Sequence, residues 1–129
     1  MGVAAFRIEG GQRGVEPGLR VEKASPVDLV HLARQTMGDR ALEKELLALF
    51  ERQAGQIAER LRQAEAGPEA ADLAHKLKGS ARAVGAAAVA AAAEHYEHGA
   101  RAGVLGPTEA ERLGVAVAEA CDFISALMA

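Results

Sequence analysis

The chain has 129 residues, 50% of them hydrophobic and 26% charged, with a formal charge of -3. That length suits a single domain with a modest core, and the lack of a basic block leaves a nucleic-acid role without support. There is no tryptophan, one tyrosine and three phenylalanines, so alanine and leucine must fill the interior, which suits close-packed helices better than a sheet.

Cys121 is the only cysteine, so an internal disulfide is excluded and a cysteine-based metal site is not suggested. It is expected in or near the core of the last helix. The start, MGVAAFRIEGG, lacks the charged head and long apolar run of a signal peptide, and Phe6 stands where a myristoylation signal needs serine or threonine. No charge-free apolar stretch reaches membrane-spanning length. The cytoplasm is the default compartment, with no membrane partner.

Residues 1–24 are rich in glycine and charge and read as an extended, partly flexible N-terminal arm, with residues 25–129 as a helical domain. Ser25-Pro26-Val27-Asp28 predicts a helix start with Ser25 as cap, the helix running to about Met37 and stopped by Gly38. His31 on it is expected to be a surface or packing residue. Asp39 then caps a long amphipathic helix over about 40–66, with Leu42, Leu46, Leu49, Phe50, Ile57 and Leu61 recurring at helical spacing. Gly55 within it suggests a close helix contact.

Gly67-Pro68 marks a tight connection, and a third helix is predicted from Pro68 to Val84. Positions three and four apart share a helix face. His75, Lys78, Gly79 and Arg82 therefore form one stripe, with Asp72 one turn earlier, while Leu73, Leu77 and Val84 line the opposite, core-facing side. Gly79 is out of place, since a mid-helix glycine costs about 0.5–1 kcal/mol relative to alanine. It removes a side chain that would crowd the imidazole one turn before it, and Lys78 sets a positive charge nearby. An incidental glycine beside an ordinary surface histidine fits the same spacing.

Gly85 permits a break before a fourth helix, with Val89, Ala93 and Tyr96 inward. A buried Tyr96 hydroxyl would need a partner. Glu94, His95 and His98 lack the spacing of a metal site, so no bound metal is expected. Residues 99–107 read as a flexible loop. Thr108 and Glu111 have capping-box spacing, and a last helix over about 108–127 should turn Leu113, Val117, Ala120, Ile124 and Leu127 toward the bundle. Together these predict an all-α, up-down antiparallel four-helix bundle with a short additional N-terminal helix.

The run HKLKGS at 75–80, followed by ARAVG at 81–85, resembles the signature of histidine-containing phosphotransfer (HPt) domains. These are helical bundles that carry a phosphoryl group on one exposed histidine in multistep two-component relays. The resemblance extends from about Pro26 to Leu127 and includes DLVHLARQTMGD, ELLALFERQ and the stretch ending in Tyr96-Glu97. It places the phospho-accepting histidine at His75, the family lysine at Lys78 and the adjacent glycine at Gly79. Lys76 matches the lysine often found after the histidine, and Gly85 the second glycine. Gln53 falls where some members place a glutamine that bonds the active imidazole or its phosphoryl group. Tyr96 departs from the usual leucine, and Glu97 matches the glutamate that commonly follows.

The resemblance implies that Nε2 of His75 attacks the phosphoryl group of a receiver-domain phosphoaspartate and returns it to another. Lys78, with Lys76 and Arg82, would offset the charge. The partners would be response-regulator receiver domains, including one within a hybrid histidine kinase. The receiver would supply the aspartate and Mg2+, and this chain no cofactor. GSARAVG lacks the order of a P-loop, so no autonomous kinase activity is expected. Docking would bury an apolar patch on the second and third helices, and a monomer suffices. Three alternatives stay open: a helical adaptor or inhibitor that binds a kinase or receiver without carrying phosphate, a histidine-kinase dimerisation domain, and a metal-binding bundle.

Overall fold

A computed structural model describes residues 25–129, which form five helices: α1 (Leu29–Thr36), α2 (Arg40–Gln63), α3 (Pro68–Val84), α4 (Ala87–Ala102) and α5 (Pro107–Met128). The expected residue 1–24 arm lies outside the described residues. Helices α2 to α5 pack as a closed ring, α3 against α4, α4 against α5, α5 against α2 and α2 against α3. The short connections make sequence neighbours antiparallel. The short α1 touches α2 and α3, and Asp28 N–H donates to Gly85 O (2.9 Å). It therefore lies across the end of the bundle where α3 gives way to α4.

The helix boundaries follow local chemistry. Asp28, not Ser25, caps α1, its carboxylate accepting from the N–H groups of Val30 and His31. Ser25 Oγ instead donates to Val27 O. The aspartate wins because it can satisfy two orphan donors of the first turn at once. Helix α1 ends one residue before the expected Met37, which is already left-handed (φ 54°). Asp39 caps α2 as expected, accepting from Leu42 N–H.

Helix α2 stops at Gln63, three residues before the expected end. Helix α3 has the predicted bounds and ends on Gly85 at φ 83°. A Cβ there would lie 2.9 Å from Asp28 O, so only glycine fits this crossing. The expected loop at 99–107 is much shorter: α4 continues through Gly99 to Ala102 and closes on a left-handed Gly103. Helix α5 begins at Pro107, and the N-terminal carboxylate contact is Glu109 accepting from Gly106 N–H (2.9 Å), not the Thr108–Glu111 pair.

The core is built from small side chains around a few large ones. Tyr96, Leu32, Leu61, Leu77, Leu113 and Ile124 are the largest fully buried residues. In α2 the buried set is Leu47, Phe50, Ala54, Ile57 and Leu61, a three-four spacing that forms one stripe. Leu42 and Leu49, expected inward, lie off that stripe and are exposed. Leu127, also expected inward, is likewise exposed. Gly55 is exposed and a Cβ on it would touch nothing, so it serves no close contact.

Alanine decides the geometry between α3 and α4. Ala71, Ala74 and Ala81 on one helix and Ala93 and Ala100 on the other are all buried. Small residues let two helix axes approach closely, so short polar side chains at the edge of that interface can meet. The Tyr96 hydroxyl finds its partner in Leu61 O (2.7 Å), a carbonyl in the last turn of α2 whose other contact is the long one from Ala64 N–H (3.4 Å). Cys121 is half-buried on α5, its Sγ 3.8 Å from Glu51 O, and burial pushes the thiol up.

Candidate functional site

His75 stands in the middle of α3 with 63% of its side chain exposed. The 3.6-residue period puts it opposite Leu77 and Ala81, which are fully buried. Its Nδ1 lies 3.0 Å from Glu97 Oε2 on α4. Glu97 is the one charged residue buried among the described residues, with 8% of its side chain exposed. An ionised carboxylate can only accept. The neutral imidazole must therefore carry its proton on Nδ1, leaving the Nε2 lone pair free. No protein group among the described residues is bonded to Nε2.

Glu97 is held by three cationic or polar partners. Lys78 Nζ stands 3.0 Å from Oε1, His75 Nδ1 from Oε2, and Arg101 brings Nη2 to 3.1 Å and Nε to 3.3 Å of Oε2. The Lys78 ammonium, opposed by burial and aided by Arg101 and His75, holds the Glu97 carboxyl down to about 2. Glu97 is thus an anion throughout the physiological range. Arg101 Nη2 also reaches Asp72 Oδ1 (3.2 Å), one turn before the histidine on α3.

The stripe read from spacing is present, but its charges are largely committed. Lys78 is only 14% exposed and its ammonium points to Glu97. Arg82 pairs across to Glu94 on α4 (3.2 Å). Lys76 is exposed and, among the described residues, unpaired. Gly79 is exposed, and a Cβ built on it would meet nothing within 4 Å. No packing among the described residues calls for glycine there. Gln53 is half-buried on α2 and, among the described residues, makes no hydrogen bond to His75. The position beside Nδ1 belongs to Glu97 instead.

A family model of the Hpt domain matches residues 45–125, which span most of α2 and all of α3 and α4 and reach into the last turn of α5. The chain belongs to the Hpt family. Hpt domains act in histidine phosphotransfer in two-component systems, with receiver domains and histidine kinases as their partners. No curated protein and no solved structure matches this chain.

Two residues of this cluster carry no role in the sequence reading. Glu97 is visible in the sequence only as a match to the family pattern, and Arg101 falls in the stretch read as a loop at 99–107. The signal for Glu97 was its place one residue after Tyr96, near the inward stripe of α4, where an unpaired carboxylate is costly. Its partner, 22 residues away, could not be found by spacing along one helix. No helix among the described residues is long and apolar enough to cross a membrane.

Proposed function

We propose that this Hpt domain relays a phosphoryl group between receiver-domain aspartates through Nε2 of His75. The observation that carries this reading is an exposed imidazole whose Nδ1 proton is held by a buried carboxylate. In the transfer, Nε2 bonds to phosphorus as the aspartyl oxygen–phosphorus bond breaks. The aspartate departs as a carboxylate, and the Nδ1 proton stays on the ring. The ring gains positive charge as the new bond forms, and Glu97 stands where that charge is stabilised. The reverse sequence hands the group to a second receiver.

The other residues take supporting parts. Gly79 leaves room beside the ring for the phosphoryl group and the partner surface. Lys78 holds Glu97 in its charged form and lends positive potential to the site, while Lys76 is the cation free to meet an incoming anion. Arg82, two turns beyond His75 on α3, is engaged with Glu94. The receiver supplies its aspartate and its Mg2+, and the bundle acts as a monomer, presenting one histidine to one partner at a time. The exposed Leu42 and Leu49 on α2 give that helix apolar surface to bury on docking, over less than about 1,200 Å² in a transient contact.

The test is transfer from a phosphorylated receiver. Acid-labile, alkali-stable label on the wild type, lost in His75→Gln, supports the relay. A wild type that binds receivers but takes no label from a broad panel of them supports a non-phosphorylated adaptor.

A further inference from the structure

The Asp72–Arg101–Glu97–His75 chain contains a competition. Three donors converge on the single oxygen Glu97 Oε2: His75 Nδ1 at 3.0 Å, Arg101 Nη2 at 3.1 Å and Arg101 Nε at 3.3 Å. A carboxylate oxygen offers about two lone-pair sites. What Arg101 takes from Oε2, the imidazole does not receive. Lys78 does not enter this contest, because it is paired with Oε1.

Arg101 is itself divided. Its Nη2 serves both Glu97 and Asp72 Oδ1 (3.2 Å), and Asp72 is 73% exposed on the turn of α3 before His75. Arg101 is 48% exposed. A solvent-facing carboxylate thus draws the guanidinium away from the buried one. The Glu97–Arg101 pair also has the favourable helical order, glutamate four residues ahead of the cation.

We propose that Arg101 is a positioning residue for His75, setting how strongly Glu97 draws on the Nδ1 proton, with Asp72 as the counterweight. The two ends of the chain then act in opposite senses. Removing Arg101 leaves Oε2 to the imidazole and strengthens the Nδ1 contact. Neutralising Asp72 releases Arg101 toward Oε2 and weakens it. A receiver surface that engaged Asp72 or Arg101 would change the same contact on docking.

This inference deepens the phosphotransfer reading and rests on it for its consequence in transfer, but its first test reads only the hydrogen bond. In the full chain, the Nδ1 nitrogen resonance of the neutral His75 ring reports the Nδ1–H···O contact. Arg101→Gln should move it toward a stronger contact and Asp72→Asn toward a weaker one, with Arg101→Lys returning it toward the wild type. Movement of both variants in one direction, or of neither, overturns the proposal. The second arm is the rate of phosphoryl acceptance from a phosphorylated receiver, expected to rise about two- to fivefold in Arg101→Gln and to fall by a similar factor in Asp72→Asn. Equal rates in all three proteins overturn the role of Arg101 in transfer. A wild type that takes no phosphoryl group overturns the phosphotransfer reading instead, and the resonance order then still decides the hydrogen-bond competition.

Discussion

His75 on α3 and Glu97 on α4 meet through one contact, Nδ1 to Oε2 at 3.0 Å, between a ring that is mostly exposed and a carboxylate that is mostly buried. The contact fixes the tautomer of the neutral ring, and the tautomer fixes which nitrogen keeps its lone pair. Glu97→Ala should therefore impair transfer through the histidine without altering it. The same change leaves the largely buried Lys78 ammonium without its partner, at a cost of about 1–3 kcal/mol. Denaturant unfolding and transfer kinetics on this variant read the two effects separately, and an unchanged transfer rate would remove Glu97 from the mechanism.

The depressed Glu97 carboxyl makes stability depend on acid. A group whose folded value lies below its unfolded one contributes stability that is present above the unfolded value and is lost as pH falls through the folded value. The window here runs from the ordinary 4.5 down to about 2. Over that range the wild type should lose stability more steeply than Glu97→Gln. Urea midpoints measured at several pH values provide the check, and parallel curves for the two proteins would contradict it.

Gly79→Ala should separate stability from function. The added Cβ meets nothing in the chain, and the helix gains about 0.5–1 kcal/mol from losing a glycine. Phosphoryl acceptance should fall, and Gly79→Leu should reduce it further, because the side chain enters the space used by the phosphoryl group and its carrier. A more stable variant with undiminished transfer would show that the glycine is incidental.

Tyr96→Phe should do the reverse. It deletes the buried hydroxyl that bonds Leu61 O (2.7 Å) and leaves that carbonyl with only the long Ala64 N–H contact (3.4 Å). A loss of about 1–2 kcal/mol is expected, read as a lowered thermal midpoint, with transfer to His75 unaffected. Impaired transfer in a folded Tyr96→Phe protein would tie this hydroxyl to the site.

Gly85→Ala tests the crossing of α1 over the end of α3. Left-handed backbone costs a non-glycine residue roughly 1–2 kcal/mol, and the 2.9 Å approach to Asp28 O adds to it. Denaturant unfolding should show a larger loss here than at any exposed glycine of the bundle. A variant as stable as the wild type would mean that α1 can shift without penalty.

Much of α3 was legible because its information is local. Gly67-Pro68 and Gly85 bracket it, and the period of 3.6 puts His75 and Leu77 on opposite sides regardless of the rest of the chain. In α2 the leucines at 42, 46, 47 and 49 spread over nearly half of the helix circumference at its start, and only the positions of α3 and α5 decide that Leu47 and Phe50 are core while Leu42 and Leu49 are not. Gly99 looked like the start of a loop, yet its carbonyl accepts from Val104 N–H (2.8 Å), and the helix runs past it to a better-placed left-handed glycine at 103. Lys78 lies one turn from His75 on α3, but its ammonium turns to a carboxylate on another helix. Pairings of that kind, Glu97 with His75, Lys78 and Arg101, exist only once two helices are packed.

The most direct measurement is nuclear magnetic resonance of the phosphorylated protein with nitrogen-15 in its histidine rings. A phosphorus–nitrogen coupling to Nε2 of His75, with the proton retained on Nδ1, is the predicted result. A phosphoryl group on Nδ1, or on His31, His95 or His98 in place of His75, would contradict the account.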